Sequence, residues 1–306
     1  MAEDIRDVIT HVTEQVRRAV VGHDQVVRLT LTAMLAGGHV LFEDVPGVGK
    51  TTLVEALAKT LDLNFRRIQF TPDLLPSDIL GGAIFNQKTA QFEFRKGPLF
   101  TPIVLADEIN RATPRTQAAL LEAMGERRIT LDGTTFDLDP NFFVLATQNA
   151  SEFAGTYPLP EAQLDRFLMR LHLGYPDQAA ELALLMGEHR DLAIDTVLNG
   201  QQLQALKQQV KAVKVDSKVA EYVLNLVQAT RDATSVRLGI SPRGGLALMA
   251  AAKAYALIDG RQFVTPEDVQ TLVTPVFAHR LLMMPGSELT TTAQLEMILQ
   301  QMTVPD

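Results

Sequence analysis

Between Gly37 and about Pro176 the chain alternates short apolar runs with longer stretches whose apolar residues recur at helical spacing. The short runs, HVLFE, FRRIQF, PIVLA, FFVLAT and RLHLGY, are β-rich, and their alternation with helical stretches predicts a parallel sheet covered by helices. Two helical stretches, Asp4 to Ala19 and His23 to Leu35, lead in. From Asp177 the β signal disappears. Helical candidates then follow one another over Asp177 to His189, Gly200 to Val213, Ser217 to Ala233, Pro242 to Ile258, Pro266 to Leu272 and Thr291 to Met302. The expected organisation is an α/β fold over residues 1–190 followed by a small all-α domain over residues 191–306. The most apolar segment, GLALMAAAKAYALIDG, contains Lys253 and is shorter than the ~20 residues that cross a bilayer, so a buried helix is expected there.

Two hairpins interrupt the α/β part. AIFNQKTAQFEF has apolar arms around a polar tip, and RRITLDGTTFDLD alternates around Asp132-Gly133, a strong tight-turn signal. Such hairpins could shield a sheet edge or serve as levers, and the residues alone do not choose between the two.

Composition narrows the chemistry. A net charge of −8 argues against a general attraction to nucleic acid or anionic membrane, though not against a local basic patch. There are no cysteines, which excludes disulfides, thiolate metal sites and thiol catalysis. The six histidines are scattered without HExxH or paired spacing, and no GxSxG elbow is present. The first twenty residues have neither the basic end nor the apolar stretch of an export signal, so cytoplasm is the default expectation.

The stretch EDVPGVGKTTL, Glu43 to Leu53, reads as a phosphate loop between the strand HVLFE and an amphipathic helix. In such a loop successive main-chain N–H groups and a helix N-terminus point at an anion, and glycine lets the backbone approach closely. Gly47 and Gly49 meet that need, with Lys50 placed to reach the β- and γ-phosphates and the Thr51 hydroxyl to bind Mg²⁺. Val45, Pro46, Val48 and Thr52 complete the candidate ATP contacts. Asp44 stands where the first glycine of the pattern belongs; its carboxylate is expected to turn away from the phosphates and bond to loop N–H groups. PIVLADEIN ends in Asp107, a candidate Mg²⁺ holder through its water shell, and Glu108, a candidate base for the attacking water. FFVLATQN ends in Asn149, which would lie beside Asp107 if the two strands are neighbours and could hold the same water. Arg166, in PEAQLDRFLMR, and Arg243, in ISPRGGL, suit the spread charge of a transferring phosphoryl group, although Arg166 could equally pair with Asp165 or a helix end.

Taken together the chain resembles an AAA+ ATPase, and more narrowly the MoxR group. VVGHDQVV, EDVPGVGKT, TPDLLPSDILGG, KGPLF, VLADEINRA, ATQNA, YPLPEAQLDRF and SPRGG resemble that group in this order over nearly the whole length. The resemblance implies that Val21 and Gly22 lie near the adenine, that Lys50 and Thr51 belong to Walker A and Asp107 and Glu108 to Walker B, and that Asn149 is sensor 1. It also implies that Arg166 is an arginine finger acting on a neighbouring subunit, that Arg243 is sensor 2, and that the all-α domain is a lid. Members resemble ring-forming, chaperone-like ATPases, usually hexameric, that work with von Willebrand factor A proteins on client proteins. Two other functions stay open: a nucleic-acid motor, and a nucleotide-gated switch with little turnover. The first hairpin offers only Lys88 near its turn and the second carries Asp132, Asp137 and Asp139, which disfavours phosphate contacts, whereas Arg127 and Arg128 at the base keep the motor in play.

Overall fold

A computed structural model of the chain describes residues 5–20, 22–44, 47–131, 133–149, 155–175, 178, 181–182, 186 and 194–305. The five expected strands form one parallel sheet: β1 (Val40–Glu43), β2 (Phe65–Gln69), β5 (Ile103–Asp107), β8 (Phe143–Gln148) and β9 (Met169–Leu171), in the order β2-β5-β8-β1-β9. The three inner strands, β1, β5 and β8, are apolar almost throughout because both faces are covered, whereas the edge strand β2 exposes Arg66, Arg67 and Gln69, yet the two-residue period survives in how the side chains divide. Val40, Phe42, Ile103, Leu105, Phe143 and Leu145 enter one core, together with helices α1 (Ile5–Ala19), α2 (Asp24–Leu35) and α3 (Lys50–Thr60) and much of the C-terminal part. Leu41, Val104, Ala106, Val144 and Ala146 enter a second core on the opposite face, under helix α5 (Pro114–Glu126).

The two hairpins form as expected. β3 (Gly81–Asn86) pairs with β4 (Gln91–Lys96), and β6 (Arg128–Leu131) with β7 (Thr134–Asp137). Three rings join them: Phe94 of β4 stacks on Phe136 of β7 with centroids 4.3 Å apart, and Phe100 packs edge-on to both. Beyond this junction Ile84, Phe85 and Phe92 stay about half or more exposed.

From Gly200 onward the chain is built from helices at Gly200–Ala212, Ser217–Asp232, Pro242–Ile258, Pro266–Phe277 and Thr291–Gln301. The expected helix over Asp177 to His189 lies largely outside the described residues, as does the expected boundary near residue 190. Two expectations change here. The β signal does not vanish, since Val236–Leu238 pairs with Leu282–Met283 in a short antiparallel ribbon. The helix from Pro266 does not stop at Leu272 but runs past Pro275 to Phe277. Proline in a helix interior costs about 3 kcal/mol. The extra turn buries Val273, Val276 and Phe277 almost completely, and burial at about 1.5–3 kcal/mol per large apolar side chain offsets the break. The helix Pro242–Ile258 is buried as expected, and no described helix is long and apolar enough to cross a membrane.

His39, just before β1, pins the edge where the strands begin. Its Nδ1 accepts from the Val144 amide at 3.0 Å and its Nε2 lies 3.2 Å from the Met124 carbonyl, which requires the neutral ring with the proton on Nε2. Burial, aided by repulsion from Arg127, pushes its pKa down to about 3. In the unfolded chain a histidine titrates near 6.5, so between the two values the unfolded state binds the extra proton. The stabilisation is therefore complete above about pH 6.5 and drains away as pH falls toward 3. Urea denaturation from pH 7 to pH 4 is expected to show a steeper loss of stability in the wild type than in His39→Asn. Parallel curves would remove His39 as the source.

Candidate functional site

The loop after β1 turns on two glycines with left-handed backbone, Gly47 at φ 85° and Gly49 at φ 90°. A β-carbon on either would meet no atom of the described residues within 4 Å, so among these residues the side that glycine leaves bare faces open space, as a cradle for an anion requires. Gly49 caps α3, whose first residues are Lys50, Thr51 and Thr52, and Val48 is buried in the core and anchors the loop. Val45 and Pro46 lie outside the described residues, and so does Val21; Gly22 is exposed between α1 and α2 with φ 83°.

Asp44 turns away from the cradle, as expected, but its partners differ from those expected. Its carboxylate accepts from the main-chain N–H of Leu173 at 2.7 Å and of Gly174 at 3.1 Å, beyond the end of β9, and not from the phosphate loop. The cause is the sheet order: β9 pairs with β1, so the nearest amides left free are those just past Leu171. The residue in the first-glycine position thus ties the phosphate-loop strand to its neighbour.

Asn149 follows β8, and β8 does lie against β5, with Ala106 opposite Ala146. Asp107, Glu108 and Asn149 therefore emerge together at the C-terminal edge of the sheet. One hydroxyl organises the acidic pair: Thr147 Oγ1 donates to Asp107 Oδ1 at 2.6 Å and accepts from the Glu108 N–H at 2.8 Å. Glu108 sits at φ 57°, ψ 49°, a left-handed conformation that costs a non-glycine residue of the order of 1 kcal/mol and persists only when its surroundings hold it. Those surroundings are the Thr147 bond, the amide of Gln69 at 2.8 Å and the guanidinium of Arg111 at 3.1 Å, both on Glu108 Oε2. Behind them Gln117, fully buried, donates to the carbonyls of Ile109, Ala112 and Tyr157, and Asn110 donates to the Asn149 carbonyl.

Lys50 faces this group. Burial lowers its pKa from the usual lysine value, while Asp44, Asp107 and Glu108 pull the other way. The Asp107 carboxylate is also paired with Arg67 of β2. Arg67, Gln69, Arg111 and Thr147 were not read as site residues from sequence; strand register, which sets Gln69 beside Asp107, brings the two β2 residues and Thr147 there, whereas Arg111 reaches Glu108 from the same turn, three residues on.

Two sequence candidates lie apart from this cluster. Arg166 donates to the Leu121 carbonyl of α5 and lines a polar cleft of about 410 Å³ with Glu122, Glu126 and Arg128. Arg243, in the first turn of its helix and largely exposed, lies 3.8 Å from Asp165. Of the alternatives for Arg166, pairing with Asp165 or with a helix end, the side chain's bond to Leu121, inside α5, is neither. Asp165 is instead held at 2.7 Å by Arg280, a buried residue that also donates to the carbonyls of Asp165, Phe167 and Leu168.

The pattern of the AAA family, ATPases associated with various cellular activities, matches residues 39–169, and that of the AAA lid domain matches residues 228–298. The chain is 50% identical over 289 residues to the uncharacterized protein YeaC of Bacillus subtilis, covering 94% of this chain and 90% of that one. It is 43% identical to Chaperone MoxR1 of Mycobacterium tuberculosis, covering 88% and 74%, and 30% identical to Protein MoxR of Methylorubrum extorquens, covering 94% and 92%. The crystal structure of a candidate ATPase from Cytophaga hutchinsonii superposes with a TM-score of 0.92 at 38% identity, covering 99% of this chain and 96% of that one.

Thr147→Val keeps the side chain's shape and removes both bonds to the acidic pair. Leaving a buried polar group without its partner costs about 1–3 kcal/mol. Urea denaturation is expected to show a loss of that size; a stability equal to wild type would mean that Thr147 does not hold Glu108.

Proposed function

Because the chain belongs to the MoxR group of AAA+ ATPases, we propose that it hydrolyses ATP with Mg²⁺ and uses the cycle to remodel or activate protein partners. The observation that carries this reading is the convergence of Lys50, Asp107, Glu108 and the Asn149 strand end on the open side of a glycine cradle. In this reading the N–H groups of Gly47 to Thr52, with Val45 and Pro46 before them, hold the triphosphate, Lys50 reaches its terminal phosphates, and Val21 and Gly22 lie by the adenine. Thr51 and Asp107 would hold the metal, the hydroxyl directly and the carboxylate through water, since hard oxygen donors suit magnesium. When bound, Mg²⁺ neutralises charge on the phosphates. Glu108 takes a proton from water as the water oxygen bonds to the γ-phosphorus and the bond to the ADP oxygen breaks; Asn149 orients that water. In this reading Oε1 takes the proton, since Gln69 and Arg111 both hold Oε2.

Arg166 is read as a finger directed at the nucleotide of an adjacent subunit and Arg243 as a lid residue acting on its own. A homo-oligomer follows from that reading; the hexameric ring is what the MoxR resemblance adds, and the cytoplasm remains the default expectation. A von Willebrand factor A protein and a client are the expected partners. The exposed Ile84, Phe85 and Phe92 on the first hairpin support contact with protein, because phosphate backbones call for cations there.

Lys50→Ala is expected to abolish ATP binding in calorimetry, whereas Glu108→Gln retains binding and loses phosphate release. Turnover at the wild-type rate in Glu108→Gln would assign the water to another group. Stimulation of the wild-type ATPase by single-stranded DNA would favour a nucleic-acid motor over the remodeller. Mixed Arg166→Ala and Lys50→Ala subunits, shown to co-assemble, should recover part of the activity that each lacks; no recovery would count against action across an interface.

A further inference from the structure

At the sheet edge where the strands begin, opposite the phosphate loop, a cleft of about 580 Å³ opens between the end of α2, the end of α5 and the helices Gly200–Ala212 and Pro242–Ile258. Its charged lining has one sign: Arg127, Lys207, Lys211 and Lys253. This is a concentration of cations in a chain whose net charge is −8. Gln204, Lys207, Gln208 and Lys211 recur at i, i+3, i+4 and i+7, which sets them on one face of their helix, while Leu203, Leu206 and Val210 pack inward.

The arrangement has a physical cost that an ordinary solvated face avoids. Burial first, then repulsion from Arg127, with Asp139 opposing, lower the pKa of Lys207 to about 8. Lys207 has the Asn141 amide oxygen at 3.4 Å. Arg127, itself partly desolvated, sits at φ 54° as the cap of α5 and spends one donor on the Gly37 carbonyl at 2.6 Å. Among the described residues none of the four cations has a carboxylate within ion-pair distance. A guanidinium and three lysine side chains thus line one cavity whose other walls include Leu35, Val210 and Ala250.

We propose that this cleft is a second binding site, separate from the phosphate loop, for a small molecule carrying two or more phosphate groups. The volume falls within the ~300–1,000 Å³ of small-ligand sites, the cations match a polyphosphate in charge, and the apolar wall and paired glutamine amides accommodate the rest of the molecule. Arg127 also begins the second hairpin, where the Leu138 N–H bonds its carbonyl, so an occupant gripping Arg127 acts on that hairpin's root and on the helices beyond Gly200 together.

The test uses the full chain with Lys50→Ala, in which the phosphate loop no longer competes, titrated with inorganic tripolyphosphate by calorimetry. One site per chain is expected, weakened by salt. Lys207→Gln with Lys253→Gln should lower the affinity by about tenfold or more, as lost hydrogen bonds between charged groups do. The ligand-free double variant should unfold at the same or a higher temperature, because like charges have been removed. Each single variant should show a smaller loss of the same sign, which keeps the measurement informative if the double variant does not fold. No binding, binding unaffected by these substitutions, or tighter binding of a polyglutamate peptide than of tripolyphosphate would overturn the proposal. Retained ATP binding in Lys50→Ala would instead refute the phosphate-loop assignment and leave the cleft to be judged by its own lysine variants.

Discussion

Strand register in the parallel sheet is the constraint on which the site depends, and apolar patterning enforces it only weakly. In a sheet buried on both faces a slip of one residue exchanges one apolar side chain for another, so it costs little through burial alone. Polar locks at the two ends of the strands supply the missing specificity. At the starting edge His39 joins the residue before β1 to the Val144 amide of β8 and the Met124 carbonyl of α5. At the finishing edge Thr147 of β8 holds the acidic end of β5, and Asp44 after β1 holds the amides that follow β9. A one-residue slip would break all of these bonds and leave buried polar groups unpaired, at about 1–3 kcal/mol each. One of these locks, Thr147, is also the group that orients the candidate catalytic acids.

The segment carrying Arg166 is held by a second polar device. Arg280 and His279, adjacent at the end of the helix Pro266–Phe277, both bond the Phe167 carbonyl, and Arg280 also takes one oxygen of Asp165. The other oxygen of Asp165 faces Arg243. A buried arginine loses hydration and would be costly unpaired; here its donors are occupied by main-chain oxygens and a carboxylate. The consequence is that the main chain on either side of Arg166, at Asp165 and Phe167, is held by residues at the end of the helix Pro266–Phe277, and that Arg243 faces the same aspartate.

What could be read from sequence follows from what is local. The strands HVLFE, PIVLA and FFVLAT announce themselves because continuous β-rich runs bounded by turns have few other uses, and the phosphate loop because glycine, lysine and threonine at fixed offsets are needed by one short piece of backbone. Asp107, Glu108 and Asn149 could be proposed as neighbours only on the condition that their strands pair, a condition that the sheet order meets. Gln69, Arg67 and Thr147 were invisible because their roles arise from alignment between strands far apart in the chain, whereas Arg111, only three residues from Glu108, was within reach of a local reading. Arg280 was missed for the same reason, being 115 residues from its aspartate. The ribbon Val236–Leu238 with Leu282–Met283 is too short for any periodicity, and Pro275 masked a helical turn that tertiary burial sustains.

Phe94, Phe100 and Phe136 give the two hairpins a shared mechanical fate. The hairpins leave the chain at unrelated places, one after the helix Pro76–Leu80 and the other after α5, yet their stacked rings allow neither to swing without dragging its companion. Dispersion contact decays within an ångström of separation, so the junction resists shear far better than two isolated ribbons would. A displacement at the foot of α5 is thereby delivered, with no change in main-chain connectivity, to the bare rings of Phe85 and Phe92 some forty residues upstream.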